Sequence, residues 1–356
     1  MFTNRLIDLL KIDFPIIQAP MAGSDSAELV AACSNAGILG SLGAQYLTPS
    51  EIEASIKRIR TLTDKPFAMN LFALETLQAP SAQSIEKAIA QLKPYYDKFE
   101  VSPPSIDEVI NQIDPDKQLQ VILDAKVPVF SFTLGVLSAH WMEAFRKNGT
   151  ILIGTATNIK EAIALEKAGV HAICVQGAEA GGHRGTFIDD YRKSMIELKS
   201  LIPQVVNVVS VPVIAAGGIM NGSNIAAARA LGASGVQMGT AFLTVEESAI
   251  HLNYKNAVCN NDPDSTTVTL AFSGGAARGI DNLYIRENMD ADLLPFPFQN
   301  ALTKPFRKIA NQRGDIEYTN LWCGQSGKLA RKLKVKDLVT ELLAEANSAA
   351  CNPASD

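Results

Sequence analysis

The chain has 356 residues, 47% of them hydrophobic and 19% charged, with a formal net charge of −5 at pH 7. That much apolar material excludes a disordered chain, and the length suits two ordinary domains or one large α/β barrel. Lysines and arginines are scattered rather than gathered into a stripe, which argues against a nucleic-acid partner.

In chain order, the opening "MFTNRLIDLLKIDFP" lacks the unbroken apolar core and small-residue cleavage site of a secretory signal. Eight short apolar runs rich in Val, Ile and Phe follow, at 15–21, 37–43, 66–72, 127–135, 149–157, 171–179, 211–219 and 235–243. Fully apolar strands without period-2 alternation belong to parallel sheets covered on both faces. Between them stand stretches such as "SAELVAACSNAG", "SEIEASIKRIRTLT", "NIKEAIALEKAG" and "NGSNIAAARALG", with apolar residues at helical spacing and Ser, Asn or Gly at their ends as caps.

Eight β/α alternations predict an α/β protein of the (β/α)8 TIM-barrel type, over about residues 1–245. A doubly wound sheet is the fallback; against it, "QAPMAGS" stands after the first strand where a G-x-G-x-x-G would be needed. Two segments exceed a bare barrel. About 75–122 reads as helices elaborating the third β/α unit, and about 246–330 as an inserted capping or substrate domain. In the remaining 331–356, Leu338, Val339, Leu342, Leu343 and Ala346 repeat at helical spacing, which predicts the eighth barrel helix, reached late.

No stretch reaches the roughly 18 uninterrupted apolar residues of a membrane span; "VVNVVSVPVIAAGGI" is broken by Asn207, Ser210 and Pro212. The expectation is a soluble, cytoplasmic protein without a membrane partner, and homo-oligomer formation is left open. Cys33, Cys174, Cys259, Cys323 and Cys351 are widely spaced, with no C-x-x-C pair and no histidine at ligand spacing, so neither a disulfide framework nor a metal centre is expected.

Barrel chemistry sits at the C-terminal ends of the strands. There the sequence places Ala19, Pro20, Met21, Ala22 and Gly23 after the first run, Asn70 in the third, and Gln176 followed by "EAGGHRG" with Gly181, Gly182 and His183 in the sixth. The seventh and eighth runs carry Gly217 and Gly218, then Gln237, Met238, Gly239 and Thr240. Loops after these last two strands are where barrels most often hold a phosphate, on bare backbone N–H groups. One Gly-Gly pair alone is explained as well by a chain turn; two glycine-rich loops at both places favour a phosphorylated cofactor or substrate. Asn70 and Gln176 suit the donor and acceptor edge of a flat heterocycle such as an isoalloxazine, or equally a neighbouring loop's backbone.

"QAPMAG", "PFAMNLF", "VQGAEAGGHRG", "AAGGI", "GVQMGTAFL", "FSGGAARGI" and "LWCGQSG", in this order, resemble the FMN-dependent nitronate monooxygenase family, class I branch, over about residues 10–330. The resemblance implies a barrel holding FMN under a cap, and oxidation of alkyl nitronates such as propionate 3-nitronate by dioxygen to a carbonyl compound and nitrite or other nitrogen oxides. It places FMN near Met21–Gly23, Asn70, Gln176, Gly181, Gly218 and 237–240, and makes His183 the catalytic residue. An unperturbed imidazole near pKa 6.5 agrees with proton exchange there, with Gly181 and Gly182 clearing room for the ring. Lys304 and Ser273 are candidates for the substrate; Arg184 suits either a flavin phosphate or the surface. The rival readings are an FMN-dependent enoyl-acyl-carrier-protein reductase or NADH:quinone reductase, and a non-enzymatic flavin binder.

Overall fold

The computed structural model describes residues 4–74, 78–111, 114–262 and 264–351. Parts of the expected segments, at 1–3, 75–77, 112–113, 263 and 352–356, lie outside the described residues, as does the Cys351 side chain.

Each of the eight apolar runs contains one barrel strand. They are β1 (Ile16–Gln18), β2 (Gly40–Gly43), β3 (Phe67–Phe72), β4 (Val129–Thr133), β5 (Ile151–Ala156) and β6 (Ala172–Gln176). After a two-residue strand β7 (Gly182–His183) outside the barrel come β8 (Val213–Ala216) and β9 (Gly235–Met238). All neighbours pair in parallel in the order β1-β9-β8-β6-β5-β4-β3-β2. A parallel bridge between Ile17 and Leu39 joins β1 to β2 and closes the ring, so the chain is a (β/α)8 barrel and the doubly wound alternative falls.

The helices form where the caps foretell. Ser26 accepts from Leu29 N, Asn158 from Glu161 N and Asn221 from Asn224 N. Thr48 and Glu51 form a reciprocal capping box at the start of Pro49–Leu62. Each such cap is worth about 1 kcal/mol. Barrel-facing residues Ile17, Leu39, Ala68, Val129, Ile153, Ala172 and Ile214 fill the interior together with Leu6 and Leu10, whose helix Arg5–Leu10 plugs the lower end. The late helix Val335–Cys351 packs between Gly222–Ala230 and Ala27–Asn35, the place of an eighth barrel helix.

A second core lies over the upper end. Ile85, Ala88, Leu92, Tyr96 and Phe99 form one apolar stripe of the helix Ala82–Phe99, and they pack with Phe272, Tyr284, Leu302, Phe306 and Tyr318. The helix thus joins Phe298–Arg313 rather than the barrel wall. The helix Pro115–Asp124 instead packs beside Pro49–Leu62 in the barrel's outer ring. Strand β10 (Thr266–Thr269) pairs antiparallel with β11 (Ala277–Ile280), and β11 pairs antiparallel with β7. Arg278 and Ala277 therefore stand opposite Gly182 and His183. Within "FSGGAARGI", Ala277–Ile280 is thus a strand rather than a loop.

Among the described residues no helix is long and apolar enough to cross a membrane, and no cluster of His, Cys, Asp and Glu could hold a metal ion.

Candidate active site

One cavity opens between the upper end of the barrel and the second core. It is lined by Ala19, Pro20, Met21 and Ala22 after β1, by Asn70 on β3, Gln176 on β6, and Gly181, Gly182 and His183 beyond it. Gly217, Gly218, Gln237, Met238, Gly239 and Thr240 complete the lining. Of the residues singled out from sequence, Gly23, Ser273 and Lys304 do not line it. Gly23 turns the β1 loop at φ +86.

The histidine loop is held from three sides. Gln176 donates through Nε2 to the His183 carbonyl and accepts Gly185 N–H on Oε1, both at 2.9 Å. Its amide is thus a fastener for the loop, the backbone alternative. Arg184 is buried, with 2% of its surface exposed. It serves neither a phosphate nor the surface: it donates to the carbonyls of Gly177 at 2.5 Å, Gln176 at 3.2 Å and Ser194 at 3.1 Å. The buried Glu161 carboxylate accepts from Thr157, Phe187 and Ile188 and ties the far end of the loop down.

The two glycines before the histidine have different reasons. A β-carbon on Gly181 would stand 2.6 Å from the backbone of Cys323 and Gly324, so the neighbouring chain, not a ligand, demands glycine there. Gly182 has φ +75 and nothing within 4 Å of where a β-carbon would be. It meets the expectation of bare backbone facing open space, and its left-handed geometry favours glycine independently.

Ser273 is buried off the cavity lining and its Oγ lies 2.9 Å from His183 Nε2, which orients the imidazole. The same hydroxyl also contacts Gly275 O at 3.1 Å and Gly275 N at 3.2 Å. Having one proton, it either donates to Gly275 and accepts from His183, or donates to His183 and leaves Nδ1 protonated. Phe72 and Phe296 stand 5.5 Å and Trp322 5.7 Å from the imidazole, centroid to centroid. Burial in this aromatic box, and next the Arg307 guanidinium, push His183 down to about 4. An ordinary titration near 6.5 is therefore corrected: at neutral pH the ring is uncharged.

Beside the base of the histidine loop, Gly217 (φ +122) and Gly218 (φ +68) turn the chain after β8, against Ala180 and Glu179. Thr240 Oγ1 accepts Gly324 N–H at 3.0 Å, and Ser326 lies beside Gly218. A β-carbon on Gly239 would meet only Ala19 and Met21, at 3.5 and 3.8 Å, so the loop backbone is open to the cavity. Asp25 fixes the β1 loop by accepting Met21 N–H and Gly43 N–H, each at 2.7 Å; burial pushes its carboxyl up to about 6.

The cation of the upper wall is Arg307. Asn300, Thr303 and Arg307 form the inward stripe of Phe298–Arg313, while Lys304, about 60° round the helix from Arg307, is exposed on the outer face. Arg307 Nη1 donates to Asn320 Oδ1 at 2.9 Å, and Nη2 donates to Asn300 Oδ1 at 2.7 Å and to Asn300 O at 3.2 Å. Sequence reasoning also missed Tyr46, Trp322, Gly324 and Ser326. Nothing local in "LWCGQSG" says that it returns to the barrel mouth.

A (β/α)8 barrel with its cavity at the C-terminal strand ends, roofed by a second core, defines a barrel enzyme. The family model described as nitronate monooxygenase matches residues 3–345. A Staphylococcus haemolyticus protein named probable nitronate monooxygenase is 42% identical over 346 residues, covering 96% of each chain. Among solved structures, a nitroalkane oxidase from Streptomyces ansochromogenes has a TM-score of 0.90 at 39% identity, covering 97% of this chain and 99% of that one. FabK from Thermotoga maritima has a TM-score of 0.77 at 30% identity, covering 98% and 97%. The chain belongs to the nitronate monooxygenase family and is an oxidoreductase.

Proposed function

We propose that this protein binds FMN in the barrel mouth and oxidises alkyl nitronates, propionate 3-nitronate among them, with dioxygen. The observation that carries this reading is that one cavity is lined both by the glycine backbone of 217–218 and 239, with 239 the open one, and by a histidine set on the glycine backbone of Gly182. Glycine backbone at such loops suits a phosphate, and Met21, Ala22, Asn70 and Gln237, which line the same cavity, would flank a flat ring. FMN, when bound, would take electrons from the nitronate and pass them to dioxygen, the products being a carbonyl compound and nitrite or another nitrogen oxide.

The chain's own part is positioning and exclusion of water. His183 is neutral at neutral pH, which makes it a weak base for a neutral nitroalkane and a good hydrogen-bond partner for a nitronate already ionised. When Ser273 gives its proton to Nε2, Nδ1 is the donor for a nitronate oxygen. We further propose that residues 1–245 form the cofactor barrel, 246–330 the cap, and 331–356 the returning helix, with the 82–110 helices contributing to the cap.

Oxygen uptake by the purified, flavin-containing protein tests the reading, with propionate 3-nitronate in one cuvette and NADH in another. Fast uptake with the nitronate alone is expected. Uptake or flavin bleaching with NADH alone would move the protein to the enoyl-acyl-carrier-protein or quinone reductases.

A further inference from the structure

Among the described residues lining the cavity, Arg307 alone carries a formal charge at neutral pH. Its surroundings orient that charge without cancelling it. Asn300 and Asn320 are neutral acceptors, among the described residues no carboxylate pairs with the guanidinium, and Nε is buried with no hydrogen-bond partner there. Beneath it lies the ring of Phe272, 5.9 Å from the guanidinium carbon. The side chain of Tyr46 also lines this end of the cavity. A cation taken out of water and left unpaired is unfavourable, and proteins keep one where a ligand supplies the missing anion.

We infer that Arg307 is the counter-charge for the anionic group of the substrate, so that the enzyme selects the ionised nitronate over the neutral nitroalkane by charge. This rests on the nitronate reading given above. The phosphate of a cofactor is the other anion at hand, but the glycine backbone suited to it lies at 217–218 and 239, and among the described residues Arg307's hydrogen bonds go to Asn300 and Asn320, not to those loops. Arg307 also lowers the proton affinity of His183, which places both groups in one electrostatic neighbourhood. A nitronate there would meet a fixed positive charge on one side and an uncharged hydrogen-bonding ring on the other.

The test uses the flavin-loaded protein and two variants, Arg307→Met and Arg307→Lys. Nitrate serves as an inert probe, being a planar anion with the same O–N–O edge as a nitronate, and its binding is read from the fluorescence of Trp322 at the cavity wall. Arg307→Met should weaken nitrate binding at least tenfold and raise KM for the nitronate by a similar factor, with kcat changed much less and flavin content unchanged. Arg307→Lys, which keeps the charge but not the two anchored nitrogens, should fall between; it also carries the test should the methionine variant not fold. Nitrate affinity and KM equal to wild type in both variants would overturn the inference even if nitronates are oxidised. Conversely, if the wild type consumes no oxygen with a nitronate while nitrate binding still depends on Arg307, the substrate reading falls and the anion site stands.

Discussion

Acid stability offers a sharp test of the environment assigned to His183. In the unfolded chain its ring titrates near 6.5, and in the folded protein burial and Arg307 bring it down to about 4. Between those values the unfolded chain binds a proton that the native state refuses, so native stability falls as pH drops through this window. The two and a half units correspond to about 3 kcal/mol. Asp25 works in the opposite sense: its carboxyl is raised from 3.8 to about 6. The native state therefore takes up a proton first, and a further term of about 3 kcal/mol stabilises the fold as pH falls through that range. In the wild type the two effects nearly cancel, and a single acid curve would mislead. Replacement of His183 by Asn exposes the difference. Urea unfolding of both proteins at about pH 7 and about pH 4 should show the variant gaining about 3 kcal/mol relative to wild type on acidification. The NMR signals of the ring should titrate near 4. A ring titrating near 6.5, with the stability gap between the two proteins unchanged by pH, would refute the burial argument.

Ser273→Ala should lower nitronate turnover by roughly 10- to 100-fold through loss of imidazole orientation, with flavin content unchanged; turnover equal to wild type would remove Ser273 from its positioning role. Gly239→Val should reduce the flavin retained per mole of protein, read from the visible absorbance of the purified sample, because its side chain enters the open space beside Ala19 and Met21. Phe306 is fully buried in the second core, against Tyr95, Phe99 and Tyr284. Phe306→Ala should cost about 3–5 kcal/mol there, and hydrogen exchange should show lost protection in 82–99 and 298–313 while the barrel strands keep theirs.

The barrel was readable because each of its parallel strands is buried on both faces, so Val, Ile and Phe run uninterrupted and Ser, Thr or Asn announces the next helix. The glycines of the seventh and eighth units were readable for a related reason, since bare backbone at a known place in a barrel has few uses. What escaped is what only tertiary contact decides. The stripe Ile85, Ala88, Leu92, Tyr96 and Phe99 is plainly helical, yet nothing local says that it faces Phe306 instead of the barrel wall. Lys304 and Arg307 are both cations on one helix, and the choice between them depends on its phase against the cavity. That helix starts at Phe298, directly after Pro297. Gln176 and Arg184 look like ligand groups in sequence, and their hydrogen bonds in the structure hold the backbone around the loop that carries His183.

The antiparallel pairing of β11 with β7 has a consequence for traffic through the cavity. The wall that bears His183 and the roof above it are stitched together by the same backbone, so the roof cannot swing away without unzipping the residue pairs Ala277–His183 and Arg278–Gly182. Substrate and product must then pass through gaps between side chains at the rim, and the histidine keeps its aim while they do.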